Sequence, residues 1–451
     1  MIARLTRRLP FFYGWIVVGV AFVTMAIGVN ARTAFSLLFP PILDEFGWSR
    51  GETAGAFSFG FVVSAVLSPA IGRLMDRSGP RVVMELGIVA MAAGLLLAPL
   101  AREPWHLYAT LGVLVGGGSV CLGYTGQSQF LPSWFVRRRG LAMSVAFSGV
   151  GAGSIILLPG LQTIIEQVGW RAACWALGAL VLVVLAPLNL LLRRRPEDLG
   201  LTPDGDGSPD SPSANRSPNL VDQSNVVDRS NIVDQSWAAI DWTLGRAART
   251  ARFWWLALGY FGAGFVWYAV QVHQTKYLVE IGFTAQDAAW ALGAVSLAAV
   301  PGQIILGHLS DRIGREPVWA IGCLGFICTY VALLLLRTDP SLPLLCLVIV
   351  PQGLLGYGLT SVLGAIPAEI FEGRHYGAIF GTLALSLIVG GAVGPWLTGA
   401  LHDQTGGYAL SFWIAILLSA LSAIAIWRAA PREVRVVAGR LRQRAALGER
   451  G

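Results

Sequence analysis

An arginine lies within the first long apolar stretch of the chain. Arg32 follows an apolar run that begins near Tyr13. A guanidinium in a membrane-spanning segment costs about 3 kcal/mol or more unless it faces water or a partner, so such a residue marks a candidate site. Its planar fork can bind a carboxylate through two hydrogen bonds, so Arg32 is a candidate anion ligand. At about 1.5 Å per residue it is predicted about 25 Å from Trp15, in the outer third of a membrane, where its side chain could instead reach the headgroups.

Further polar side chains interrupt later apolar stretches and could hydrogen-bond a solute. These candidates are Asn30, Tyr124, Gln127, Tyr268, Gln271, His273, Gln303, Gln352 and Tyr357. His273 could titrate near neutral pH and carry a proton, or it could simply be solvated beside Lys276. Glu85 lies close to Arg81 in sequence and is predicted to be structural. No strong proton carrier is visible in the spans.

A glycine-rich charged motif occurs twice. GRLMDRSGPR at 72–81 recurs as GHLSDRIGR at 307–315. Glycines allow close helix packing and sharp turns, and an aspartate can face a helix N-terminus or an arginine. We predict that these residues form conformational latches that hold one state and break in the other. The predicted latch residues are Gly72, Asp76, Arg77, Gly79, Arg81, Gly307, Asp311, Arg312, Gly314 and Arg315. A merely solvated basic loop would explain the arginines but not the duplication.

The elements that must position these residues are transmembrane helices. The 451 residues are 55% hydrophobic and 13% charged, whereas soluble domains carry roughly 25% charged residues. Apolar stretches of membrane-spanning length, roughly 20 residues, recur twelve times. They lie near 13–39, 51–72, 82–101, 105–130, 140–164, 172–192, 253–275, 285–308, 317–336, 342–364, 376–400 and 409–428. The five cysteines all fall in these stretches and are predicted to be buried free thiols.

The basic residues indicate an orientation. With both termini in the cytoplasm, 27 of the 33 basic residues lie on the cytoplasmic side. Five lie outside, namely Arg50, Arg102, Arg171, Lys276 and Arg337, and Arg32 lies within a span. This bias agrees with the positive-inside rule. The net charge of +7 needs no nucleic-acid partner, because a basic face against anionic membrane lipids accounts for it.

The chain divides into two copies joined by a polar linker. Matches between the halves keep an offset of 235–238 residues, which indicates parallel repeats. We predict an N-terminal six-helix bundle at 1–192, a largely disordered cytoplasmic linker at 193–252, a C-terminal six-helix bundle at 253–428 and a basic tail at 429–451. A six-residue tandem at 219–236 is either a partner-binding strand or a repeat expansion in a tolerant loop.

The loop motif resembles that of the major facilitator superfamily. A narrower resemblance, to monocarboxylate transporters and oxalate:formate antiporters, is carried by YGWIVV at 13–18, FGWSR at 46–50, WFVRRRGLAMSVAFSGVGAG at 134–153, RRRPEDLGLTPDG at 193–205 and GGAVGPWLTGALHDQTGGY at 390–408. The resemblance implies twelve helices in two bundles, a cavity lined by helices 1, 4, 7 and 10, and transport of small organic anions by proton symport or anion exchange. These relatives carry a basic residue in helix 8 where this chain has Gln303, so an anionic substrate would depend on Arg32 alone.

The sequence thus predicts an all-α polytopic transporter with no cofactor and no metal. A mono- or dicarboxylate is the expected substrate, moved across the cytoplasmic membrane by alternating access in a monomer. A neutral or zwitterionic metabolite and multidrug export remain alternatives, although GVGAGSIILLPG at 149–160 matches the helix 5 motif of drug exporters poorly. A non-transporting sensor would look the same. No HExxH, Walker or nucleophile-elbow motif supports an enzyme.

Overall fold

The computed structural model describes residues 12–135, 139–193, 195–202, 234–371 and 375–434. In these ranges it contains twelve helices that are long and apolar enough to span a membrane, and no strand. The spanning helices are α1 (Gly14–Phe46), α2 (Arg50–Ser68), α3 (Arg77–Leu100), α4 (Pro104–Ser128), α5 (Leu141–Val168), α6 (Trp170–Asn189), α7 (Ala251–Glu280), α8 (Ala285–Ile313), α9 (Arg315–Leu336), α10 (Leu342–Ile370), α11 (Tyr376–Thr405) and α12 (Ala409–Val434). The all-α polytopic fold predicted from the sequence is confirmed.

The first spanning helix is longer than its apolar pattern predicts. It continues through Pro40 and Pro41 to Phe46, where Gly47 ends it with a φ of +67°. Membrane helices tolerate proline where other groups satisfy the carbonyls that it leaves without donors. The last turn is held by Glu45, whose carboxylate accepts hydrogen bonds from the Trp170 indole at 2.7 Å and the Arg171 guanidinium at 2.6 Å.

The chain forms two compact units. The N-terminal unit comprises Met1–Ser217, Val272–Val279 and Thr284–Gly293. The C-terminal unit comprises Pro218–Gln271, Glu280–Phe283 and Ala294–Gly451. Each of α7 and α8 therefore contributes residues to both units.

Equivalent helix pairs pack through glycines in each unit. A Cβ atom at Gly149 of α5 would lie 2.2 Å from the carbonyl oxygen of Phe22 in α1. In the C-terminal unit, a Cβ atom at Gly390 of α11 would lie 2.1 Å from the carbonyl oxygen of Phe261 in α7. Only glycine allows backbones to approach this closely. The duplication seen in the sequence therefore extends to the packing of the helices.

The end of the predicted linker is folded. Asp234 caps the short helix Gln235–Ala238 by accepting a hydrogen bond from the Trp237 backbone N–H at 2.9 Å. The Trp237 indole donates to the carbonyl oxygen of Ile370 at 2.7 Å, and buried Trp242 packs edge-on against Phe371. These contacts fasten 234–242 to the C-terminal unit, so this end of the predicted linker is ordered. Residues 203–233, with most of the tandem, lie outside the described residues.

The cysteine prediction is partly wrong. Cys121, Cys174 and Cys323 are buried, whereas Cys328 and Cys346 are exposed on the surface of the chain. An apolar sequence shows that a helix spans the membrane, but it does not show which side chains face lipid.

Candidate functional site

Arg32 of α1 points into the N-terminal unit. Its guanidinium carbon lies 3.8 Å from the ring centroid of Phe61 and 5.2 Å from that of Phe57, both in α2. One terminal nitrogen lies 3.4 Å from the Ser119 hydroxyl oxygen of α4. Arg32 also lines a small pocket with room for roughly one water molecule. The pocket is otherwise apolar, being lined by Ala31, Phe35, Leu38, Phe57, Gly60, Leu111 and Val115.

Arg32 lies near the middle of its spanning helix. Because α1 runs from Gly14 to Phe46, Arg32 lies about 27 Å from one end and about 21 Å from the other. Its neighbours give the same result, since Ser119 lies about 22 Å and Phe61 about 17 Å from the starts of their helices. Its contacts with Phe61 and Ser119 are therefore away from the helix ends.

A close contact between α2 and α4 brings these neighbours around Arg32. A Cβ atom at Gly116 would lie 2.7 Å from the Cα of Gly60, and one at Gly60 would lie 3.2 Å from the carbonyl oxygen of Gly112. Phe61 follows Gly60 directly, and Ser119 lies one helical turn after Gly116. The glycine seam thus positions both contacts of the guanidinium.

Asn30 fastens α1 to α5. Its side-chain amide donates to the carbonyl oxygens of Ala26 at 2.8 Å and Val150 at 2.9 Å. Asn30 is 1% exposed. These bonds hold α1 against α5, so Asn30, a predicted substrate residue, also has a structural role. Its amide oxygen has no hydrogen-bond partner within the described residues.

A row of aromatic rings connects the Arg32 site to His273. Phe61 contacts Phe57, Phe57 contacts Phe35, and Phe35 contacts Phe39, with ring centroids 5.3–5.9 Å apart. Phe39 then meets the His273 ring edge-on at 5.2 Å. His273 is 0% exposed, so the alternative of a solvated histidine is wrong. Helical spacing of four residues within Phe35–Phe39 and Phe57–Phe61 is the signal from which this row could have been found.

Pro40 explains how the end of α7 joins the N-terminal unit. Proline has no N–H, so it leaves the Ser36 carbonyl without its helical donor. The Thr275 hydroxyl donates to that carbonyl oxygen. In return, the Ser36 hydroxyl donates to the carbonyl oxygen of Val272 at 3.1 Å. An ion pair between Lys276 and Asp44, at 2.6 Å, extends this α1–α7 contact.

The two other candidates in the N-terminal unit have different settings. Tyr124 is 42% exposed and packs edge-on against Phe147 at 5.0 Å. Gln127 is fully buried, and its amide nitrogen lies 3.5 Å from the carbonyl oxygen of Leu122 and 3.6 Å from the Met84 sulfur.

The remaining candidates belong to the C-terminal unit. Tyr357 of α10 stacks on Trp267 of α7 with ring centroids 3.9 Å apart and an interplanar angle of 8°. Gln352 is 0% exposed, and neither of its amide atoms has a hydrogen-bond partner within the described residues. It lies in a π-helical turn, Pro351–Gly356, of a kind that often marks functional sites. Tyr268, Gln271 and Gln303 are partly exposed.

The duplicated motif contains two matching turns. Gly79, near the start of α3, has a φ of +78°, and Gly314, between α8 and α9, has a φ of +109°. The sharp turn predicted at Gly79 is confirmed. By contrast, a Cβ atom at Gly72 would meet no described atom within 4 Å, so the predicted packing role is not found there.

The second motif holds an ion cluster that the sequence did not reveal. The Arg315 guanidinium donates to Asp311 and to Glu369 of α10, each at 2.7 Å. The Arg315–Glu369 pair is 17% and 18% exposed, whereas Asp311 is 62% exposed. Glu369 is therefore the better-buried partner. Arg77, Arg81 and Arg312 are exposed, and the side chain of Asp76 lies outside the described residues.

Comparison with known proteins decides the family. The family model of the Major Facilitator Superfamily matches residues 16–339 and 256–448. The chain belongs to the major facilitator superfamily. It is 29% identical to rat monocarboxylate transporter 13 over 89% of this chain and 86% of that one. It is 28% identical to human monocarboxylate transporter 11 over 93% and 84%, and 26% identical to the Bacillus subtilis MFS-type transporter YcxA over 91% and 93%.

Solved structures agree with this fold. A bacterial homologue of the human lysosomal transporter Spinster, in an inward-facing and occupied conformation, aligns with a TM-score of 0.66 at 17% identity. The alignment covers 93% of this chain and 97% of that one. This major facilitator protein is thus a multi-pass membrane transporter of a small-molecule substrate, and not an enzyme.

Proposed function

We propose that this major facilitator protein is a secondary active transporter of a small organic anion, a mono- or dicarboxylate. It moves the anion by alternating access, coupled to protons or to exchange of a second anion. The names of its relatives, monocarboxylate transporters 11 and 13, support this substrate class.

The observation that carries the proposal is a guanidinium near the middle of its spanning helix. Arg32 lines a pocket whose other residues are apolar. A cation at this depth is retained only where function or a partner offsets its cost. A carboxylate would match both its charge and its planar donors.

The distribution of charge supports a proposed location and orientation in the membrane. We place it in the cytoplasmic membrane with both termini in the cytoplasm, as a monomer whose basic face meets anionic lipids. Asp76 and Asp311 serve as cytoplasmic latches. Asp76→Ala should therefore reduce transport while the protein keeps its melting temperature, and unchanged flux would contradict the latch.

Counterflow in proteoliposomes tests the proposal. The purified protein is given labelled formate, pyruvate, lactate, oxalate and succinate, with leucine and glucose as zwitterionic and neutral solutes, at two pH values. We expect one or more acids to be moved and Arg32→Gln to reduce that flux at least tenfold. Arg337→Gln, at an exposed arginine near the end of α9, is the matched control and should leave it unchanged.

The other outcomes separate the alternatives. Movement of leucine or glucose alone would favour a zwitterionic or neutral substrate. Binding without counterflow would indicate a sensor. If a carboxylate is transported equally well by Arg32→Gln, the anion site is elsewhere.

A further inference from the structure

We infer that Phe61, with a smaller contribution from Phe57, positions the Arg32 guanidinium for the substrate anion. The inference rests on the proposed function of Arg32 and adds two residues that neither the sequence motifs nor the names of the relatives indicate.

The geometry is that of a cation held over an aromatic face. The guanidinium carbon lies 3.8 Å from the Phe61 centroid, well within the roughly 6 Å limit for this interaction. Phe61 and Phe57 are 4% and 6% exposed. Burial of the rings removes competing water, which strengthens the attraction between the positive charge and the ring quadrupole.

An aromatic face holds a guanidinium without accepting its hydrogen bonds. It attracts the charge through the π-face, whereas a carboxylate at the same place would use the N–H fork that an anion needs. Ser119 lies at a long 3.4 Å from one terminal nitrogen, and its own hydroxyl donates to Gly116 at 2.7 Å. The Ser119 oxygen can accept a hydrogen bond from the guanidinium and so orient one edge of that group.

The rings are themselves held in place. The glycine seam between α2 and α4 fixes the backbone beside Phe61, and Phe57 packs against Phe35 at 5.3 Å. A side chain that approaches its binding geometry before the ligand arrives spends less free energy on ordering when it binds. Loss of the ring should therefore weaken substrate binding more than it slows turnover.

The experiment compares kinetic constants of four variants. Initial uptake of the panel acid with the highest flux is measured for Phe61→Leu, Phe61→Tyr, Phe57→Leu and Phe412→Leu. We expect Phe61→Leu to raise KM roughly fivefold to thirtyfold with Vmax changed less than about twofold, and Phe57→Leu to raise KM less than about threefold. Phe61→Tyr keeps the π-face and should restore KM. Phe412→Leu, a buried ring of α12 that packs against Tyr330 in the C-terminal unit, should leave KM unchanged.

A second measurement separates charge from packing. Trifluorophenylalanine at position 61 keeps the ring shape but weakens its negative face. We expect KM to rise as it does in Phe61→Leu, and this readout also serves if the leucine variant does not fold. An unchanged KM, or a fall in Vmax alone, would overturn the inference.

The two proposals fail in different ways. If Arg32→Gln transports normally, the proposed anion site fails and the role of Phe61 fails with it. If Arg32→Gln is impaired while KM is the same for phenylalanine, leucine and the fluorinated ring, only the role of Phe61 is rejected. In the double variant Arg32→Gln/Phe61→Leu, the effect of Phe61→Leu should disappear, because no cation remains to be positioned.

Discussion

At the scale of single residues, Arg315 shows how one cation can join elements that are distant in sequence. It bonds Asp311 within its own motif and Glu369 at the end of α10. The energetic weight of the two carboxylates should differ, because the Arg315–Glu369 pair is mostly buried and Asp311 is mostly exposed. An exposed ion pair contributes about 0–1 kcal/mol, whereas removing one partner of a buried pair costs about 3–5 kcal/mol.

This difference is testable. Glu369→Gln should destabilise the protein by about 1–3 kcal/mol, a value reduced from the buried limit because the pair is partly exposed. Asp311→Asn, the matched control on the same arginine, should cost less than about 1 kcal/mol. Thermal unfolding in detergent measures both. An equal loss of stability in the two variants would show that burial does not determine how much each carboxylate contributes to stability.

At the scale of elements, the C-terminal part of α7 is joined to α1 beside a proline. The carbonyl of Ser36 lacks a helical donor because residue 40 is proline, and Thr275 supplies the missing hydrogen bond. The hydroxyl oxygens of Ser36 and Thr275 are 3.0 Å apart. If alternating access separates α1 from α7 at this level, a covalent link here should stop transport.

A cysteine pair tests that step. Ser36→Cys/Thr275→Cys should lose transport on oxidation and regain it on reduction, because a disulfide would hold the two helices together. Each single variant, treated with the same oxidant, is the control for the native cysteines. Full activity of a double variant shown by mass spectrometry to be cross-linked would mean that this contact persists throughout the cycle.

At the scale of the whole molecule, the distribution of charge predicts an orientation in the membrane that labelling can test. We expect Ser224→Cys, in the linker, to react with a membrane-impermeant maleimide only after the cells are permeabilised. Thr338→Cys, in the exposed connection between α9 and α10, should react in intact cells. Wild-type protein gives the background from Cys328 and Cys346. The reverse labelling pattern would show that the proposed topology is inverted and that the latches are not on the cytoplasmic side.

The sequence by itself determined the features that depend on local composition. Twelve spans, the duplicated halves and the turn at Gly79 could be predicted, because apolar length and glycine spacing act over a few neighbouring residues. The surroundings of Arg32 could not be predicted in this way. Its ring contacts come from α2 and its hydroxyl contact from α4, and only packing brings these helices together.

Tertiary structure also decided where α1 ends and what Glu369 does. Pro40 and Pro41 read locally as a helix stop, yet Thr275 of α7 and the partners of Glu45 in α6 support the helix to Phe46. Glu369 is separated from Arg315 by 54 residues, so no local pattern pairs them. Hydrogen bonds and ion pairs between residues far apart in sequence supply partners for backbone carbonyls and charged side chains that have none among their sequence neighbours.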